Sequence, residues 1–371
     1  MANEKKVARE PSFILALIPI VAMIGFMLYC FLGHSESGYH DAHLPLVMSI
    51  AVACIVGHFC GHDFKDMLSG MIERLSASME AVLILCTVGF LVASFMASGA
   101  IPSLIVYGLD LLTPKLFLPI GCILCAIVGM ACGSSWTTTA TIGLAFLGIG
   151  AGLGIPAPIT AGMIISGAYV GDKFSPLSDT TNLAAAVAET GLFDHVTAMV
   201  SSTGPTLVIA LILYTIMGLN IDASAYDPTV AQGIQDAFRS VFTISPLLLI
   251  PIIVVIVMCI LRVPGLVGIA ISVATATIFM IIFQSTDIYG SRALGDIFNT
   301  LHYGIGVETG NEVADSILGK AGGMDGTMWT INLILLALAY GGALERCGCI
   351  ERLFGGLKHK IHSVGSLILA T

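Results

Sequence analysis

The sequence predicts an all-α polytopic membrane protein, and three observations carry that prediction. Only 11% of the 371 residues are charged, against 56% hydrophobic, where a soluble domain is about 25% charged. Mean hydropathy is +0.96, which leaves too little polar surface for a globule in water and makes the lipid bilayer the expected surroundings. Charge-free stretches of spanning length recur along the chain. Long apolar runs exclude the alternating pattern of a barrel, so helices must satisfy the backbone in lipid. The net charge of −9 argues against nucleic acid as a partner.

Taken in order, the first element is the apolar stretch 13–32, just after Lys5, Lys6 and Arg9. It holds 20 residues without a charge, enough for a ~30 Å hydrocarbon core at ~1.5 Å per residue and too long for a signal-peptide core. Further stretches are 44–60, 81–98, 116–171, 196–221, 240–261, 263–286 and 326–344. The stretch 116–171 is 56 residues without Asp, Glu, Lys, Arg or His. One span cannot use that length, so the chain must turn at its glycines and at Pro156 or Pro158. Lysine and arginine in short loops orient the chain. They place the N-terminus, 61–80, Arg262 and the Arg346–Lys360 region on the cytoplasmic side. The poorly basic segments 33–43, 222–239 and 287–325 then lie outside.

The ten cysteines mostly sit in apolar runs and act as small hydrophobes. Cys347-Gly-Cys349 lacks the second pair or histidine that would complete a metal site. His58 and His62 have the spacing of a zinc protease motif, with Phe59 where the acid belongs. No cofactor is expected.

The strongest local signal is Gly171-Asp-Lys-Phe-Ser-Pro-Leu-Ser-Asp-Thr-Thr-Asn-Leu183. Ionisable groups at membrane depth cost several kcal/mol and are functional candidates by default. Pro176 breaks the helix here; a short helix 183–190 should follow, capped by Ser178 or Asp179. A break brings carboxylates, hydroxyls and freed carbonyls together, the oxygen ligands that hard cations require. Asp179 is the first choice for a carboxylate shared between a proton and Na⁺, and Asp172 the second. Asn182, Thr180, Thr181 and Ser178 are further oxygen ligands. Burial favours the protonated carboxylate and an approaching cation the ionised one, so the two ions compete. The simpler alternative is an interfacial loop that only caps a helix. A second signal, Gly133-Ser-Ser-Trp-Thr-Thr-Thr139, offers Ser134 and Ser135 to the same ion, although such hydroxyls also serve helix packing. The expected Na⁺ ligands are Asp179, Asp172, Asn182 and Ser135. An intramembrane aspartyl protease is disfavoured: Tyr169 stands where its motif needs glycine, and Tyr226-Asp227 falls in a loop.

The motif 171–184, with Glu189-Thr-Gly-Leu-Phe-Asp-His195, Gly133–Thr139 and Met96-Ala-Ser-Gly-Ala-Ile-Pro102, resembles the NhaC family of bacterial Na⁺/H⁺ antiporters. The resemblance runs from about residue 12 onward. It implies a multi-pass exchanger of the inner membrane, with Na⁺ and protons as partners and two inverted repeats meeting at midplane. Some members exchange malate and protons for sodium and lactate, so a small organic acid is a further candidate partner and a homo-oligomer is compatible. The residues alone already suggest the repeat. Leu17-Ile-Pro-Ile-Val21 matches Leu249-Ile-Pro-Ile-Ile253, and Ala100-Ile-Pro-Ser-Leu104 matches Cys349-Ile-Glu-Arg-Leu353, with opposite loop charges. Within one transporter domain, 1–371, the repeats are expected at 12–215 and 240–371, the second apparently truncated.

Overall fold

The structure, a computed structural model, describes residues 9–32, 41–132, 135–175, 178, 180–181, 184–185, 190–220, 228–261, 263–319 and 321–358. Asp179, Asn182, Ser134, Arg262, His34 and His40 lie outside them. The described residues are helical with no strand. The protein is an all-α polytopic membrane protein, as its hydropathy predicts. Among the described residues, four helices are long and apolar enough to cross a bilayer, or up to six if each bent pair is one span. The chain divides into two compact units, residues 1–82 with 328–371, and residues 83–327.

In the first unit, α1 (Phe13–Leu32) packs on α2 (His43–Phe59), and α3 (Phe64–Ala77) follows. The chain returns in α17 (Gly323–Arg346) and α18 (Cys349–Lys358). Ala16, Ala53, Met67, Ala343 and Cys349 form the core. The expected inner loop 61–80 is largely the amphipathic helix α3, capped by Asp63, whose carboxylate accepts from Asp66 N at 2.8 Å. Its polar face fixes it to α17. Arg346 donates to Asp66 Oδ1 from Nε at 2.8 Å and from Nη2 at 2.5 Å, and His62 bonds the other carboxylate oxygen. A Cβ on Gly342 would meet Gly70 O at 2.6 Å, so glycine permits the approach.

The second unit begins in α4 (Met79–Ala97) and continues through α5 (Ala100–Leu111) and α6 (Pro114–Cys132). The long charge-free stretch turns as its composition requires. After α6 come α7 (Ser135–Thr138), a π-helical turn (Thr139–Gly143) and α8 (Leu144–Gly152). The chain reverses at Gly154, with φ of 71°, and Pro156 enters α9 (Ala157–Phe174). The helix α10 (Leu192–Leu219) then presents Val208, Ile209, Ile212 and Leu213 outward, each more than half exposed, a surface that lipid solvates.

Two expectations are corrected in this unit. Much of the segment 222–239, read as an outer loop, is the helix α11 (Pro228–Val241). Its apolar residues recur at helical spacing, and Ile234 and Phe238 are fully buried. The stretch 240–261, read as one span, is broken. A 3₁₀ turn (Pro246–Leu249) leads into α12 (Ile250–Ile260), and the two arms bend by 91°. The first arm ends at Val241, and Pro246 opens the second with Ser245 as its cap. The freed backbone groups are met by Gln284, at the end of α13 (Gly265–Phe283). Its Nε2 donates to Ser98 O at 2.9 Å and Thr243 O at 3.1 Å, and its Oε1 accepts from Thr243 N at 3.0 Å. The segment 287–325 holds the short helices α14 (Thr286–Tyr289), α15 (Leu294–Tyr303) and α16 (Glu312–Gly319).

Candidate functional site

The site is built where α9 ends. Glycines bring α9 onto α6 at backbone contact: a Cβ on Gly167 would meet Cys122 O at 2.3 Å, and one on Gly171 would meet Ala126 O at 2.2 Å. No larger residue fits there without separating the helices. This contact sets the depth and direction of the next residue, Asp172, which is 6% exposed. The helix stops two residues later, ahead of Pro176, and Ser175 closes it with its N–H on Asp172 O at 3.2 Å.

Two hydroxyls bond this carboxylate and its peptide, and two more lie beside them. Ser135, the first residue of α7, donates to Asp172 Oδ2 at 3.2 Å. Thr181 Oγ1 donates to the backbone oxygen of Asp172 at 3.3 Å. Ser178 accepts from Thr181 N at 3.4 Å and lies 3.0 Å from Thr180 Oγ1. Ser175 and Ser178 are buried, as is Thr181. Thr180 and Thr181 are helical, so the helix after the break begins earlier than residue 183, with Ser178 as its cap. Beside Ser135, Thr138 is fully buried and Thr139 Oγ1 donates to Ser135 O at 2.8 Å. The π-helical turn that follows is a distortion common at functional sites.

The structure therefore brings together Ser135, Asp172, Ser178 and Thr181 from two segments 37 residues apart. Thr180 joins them through Ser178 but is exposed on its outer side. Asp179, Asn182 and Ser134 belong to the same two segments and lie outside the described residues. Ser175, one of the oxygen-bearing side chains of the motif, is fully buried and completes the described cluster. The grouping supplies one carboxylate, several hydroxyls and peptide oxygens. That donor set suits a hard monovalent cation or a proton. Among the described residues no cluster of His, Cys, Asp and Glu could hold a transition metal.

Charged residues near other helix ends take structural roles. Arg346 is held by Asp66 rather than by its neighbour Glu345, because α3 presents Asp66 across the glycine contact. Asp110 accepts from Gln235 Nε2 at 2.8 Å and lies 3.9 Å from Arg239.

A helical membrane domain with a buried carboxylate at an interrupted helix has the architecture of a secondary transporter. The profile of the Na⁺/H⁺ antiporter family matches residues 167–371. The Na⁺/H⁺ antiporter NhaC of Alkalihalophilus pseudofirmus is 36% identical over 89% of this chain and 70% of its own length. The arginine/ornithine antiporter ArcD of Halobacterium salinarum is 35% identical over 98% of this chain and 73% of its own. The malate-2H⁺/Na⁺-lactate antiporter of Bacillus subtilis is 34% identical over 96% and 74%. No solved structure matches the chain. The chain belongs to the NhaC family of Na⁺/H⁺ antiporters.

Proposed function

We propose that the protein exchanges Na⁺ for H⁺ across the bacterial cytoplasmic membrane, with both ions competing for the carboxylate at the α9 break. The observation that carries this reading is Asp172, buried and bonded to Ser135, beside the hydroxyls of Ser175, Ser178 and Thr181. With a proton on it, the carboxyl is neutral and tolerates burial. Without one, the anion needs a cation, and the surrounding oxygens replace part of the shell that Na⁺ sheds. Asp179 and Asn182, on the same motif, are proposed to complete the shell. Only one ion at a time neutralises the group, so loading Na⁺ releases H⁺. Two inverted repeats, 12–215 and 240–371, would rock around this site, with the N-terminus in the cytoplasm.

A second reading has one observation in its favour. Ser178 starts a helix whose first N–H groups point toward the break, and such a terminus attracts anions. An organic acid would then travel with the ions, as the name of the malate relative implies for that protein. Sodium-driven proton flux in everted vesicles decides between them. The parent is expected to respond to Na⁺ with no organic acid present, and Asp172→Asn to be silent. A parent that responds only after malate or lactate is added would overturn simple exchange.

A further inference from the structure

His43 opens α2, in the first unit, away from the ion site described above. Its Nδ1 lies 2.5 Å from Asp41 Oδ1, and its Nε2 lies 3.2 Å from the backbone oxygen of Trp329 in α17. A carboxylate and a carbonyl only accept hydrogen bonds. Asp41 is held ionised. The bond from the His43 ring, reinforced by Trp329 Nε1 at 2.9 Å, lowers its pKa from 3.8 to about 2. Both ring nitrogens of His43 must therefore donate, which only the imidazolium can do. The Trp329 ring packs edge-on against it, centroids 5.2 Å apart.

Removing one proton makes this arrangement self-contradictory. The charge-assisted bond to Asp41 is the stronger of the two and keeps its N–H. The Nε2 lone pair then faces the Trp329 carbonyl, and the contact turns repulsive. We propose that His43 is a proton-operated latch: protonated, it adds a tie between the start of α2 and α17, and deprotonated, it gives that tie up and leaves only Trp329 Nε1 on Asp41.

The charge acting on His43 is that of Asp41. From α17 comes Asp325, a turn before Trp329 and of the same sign, while α1 has no Asp, Glu, Lys, Arg or His. The pH window follows from the signs. The bond to Asp41, partly opposed by burial, raises the His43 pKa above 6.5. The tie is thus complete below 6.5 and is lost as pH rises through the raised value. Asp41's share is complete above 3.8 and is lost only as pH falls through about 2. On the orientation proposed above the latch faces outside, so an alkaline exterior would open it.

The chain has 2 tryptophans, so Trp136→Phe leaves Trp329 as sole reporter. An imidazolium quenches a neighbouring indole more strongly than the neutral ring. In the full chain in lipid nanodiscs, emission should rise about twofold between about pH 5 and about pH 9, the range where a histidine titrates. The midpoint should lie above 6.5. His43→Gln should abolish the transition, and Asp41→Asn should lower its midpoint. Flat emission in the parent, a transition that survives His43→Gln, or an unmoved midpoint in Asp41→Asn would each overturn the latch. The readout needs no transport, so it does not stand or fall with sodium exchange.

Discussion

A buried carboxylate in an apolar helix costs several kcal/mol unless a proton, a cation or donors compensate it. At Asp172 the compensation comes in graded form. One hydroxyl, from Ser135, reaches the carboxylate, and the hydroxyl of Thr181 reaches the peptide oxygen instead. Removing the Ser135 hydroxyl should therefore weaken Na⁺ binding without abolishing it. Ser135→Ala is expected to raise the sodium KM about fivefold, the equivalent of ~1 kcal/mol for one hydrogen bond. Sodium titrations of proton flux check this, and an unchanged KM would place the ion elsewhere. Asp172→Asn keeps an acceptor for Ser135 but cannot bind or release the proton, so its flux should fall to background while the protein remains folded. The residue types here were legible in the sequence, because a carboxylate and a helix-breaking proline at the end of a charge-free run are costly in lipid and mark a working site. Their pairing was not. Nothing along the chain says that Ser135 meets Asp172 across 37 residues, since that contact depends on how closely α6 and α9 approach.

That approach is a property of the two helices. Gly167 and Gly171 place the α9 backbone against α6, and an added methyl at either would strike a carbonyl rather than a side chain that could move. Gly167→Ala should cost about 1–3 kcal/mol by overpacking and should weaken sodium binding as well. Gly162→Ala, on the same helix, would meet only Tyr214 Oη at 3.6 Å, an ordinary contact, and should leave both unchanged. Thermal unfolding in detergent, with sodium titration, separates the two. The bend between α11 and α12 rests on a different device, a glutamine that holds both backbone groups of Thr243 in the break and ties them to Ser98 between α4 and α5. Gln284→Leu would leave Thr243 N and two carbonyls without partners, and a loss of about 3 kcal/mol is expected. These elements also show where sequence reading stopped. Span length finds helices that lipid surrounds, such as α1 and α10. It passes over α3 and α11, whose polar faces break the apolar run although their buried faces are regular. It also merges 240–261 into one span, because the break at residues 242–245 leaves hydropathy unchanged.

At the scale of the whole molecule the open quantity is orientation. It can be argued from charge, because the bilayer and the membrane potential act on every loop together. Lys5, Lys6, Arg9, Lys65, Arg74, Arg346 and Arg352 fall in segments assigned to one side. The segments 33–43 and 287–325 together carry two basic residues, Arg292 and Lys320. The structure adds a consistency check in the first unit, where Asp66 of α3 and Arg346 at the end of α17 share an ion pair. Both residues must then lie on one side, as the charge assignment independently requires. The same unit sets His43 and Trp329 together near the starts of α2 and α17, as two crossings in the same direction demand. In a cysteine-free background, a single cysteine at Ser69 should react with an impermeant thiol reagent only in everted vesicles, and one at Ser291 only in intact spheroplasts. Labelling of both from the same side would remove the proposed topology and the outward placement of the His43 latch. It would leave the Asp172 cluster untouched, because that geometry does not depend on which way the chain is inserted.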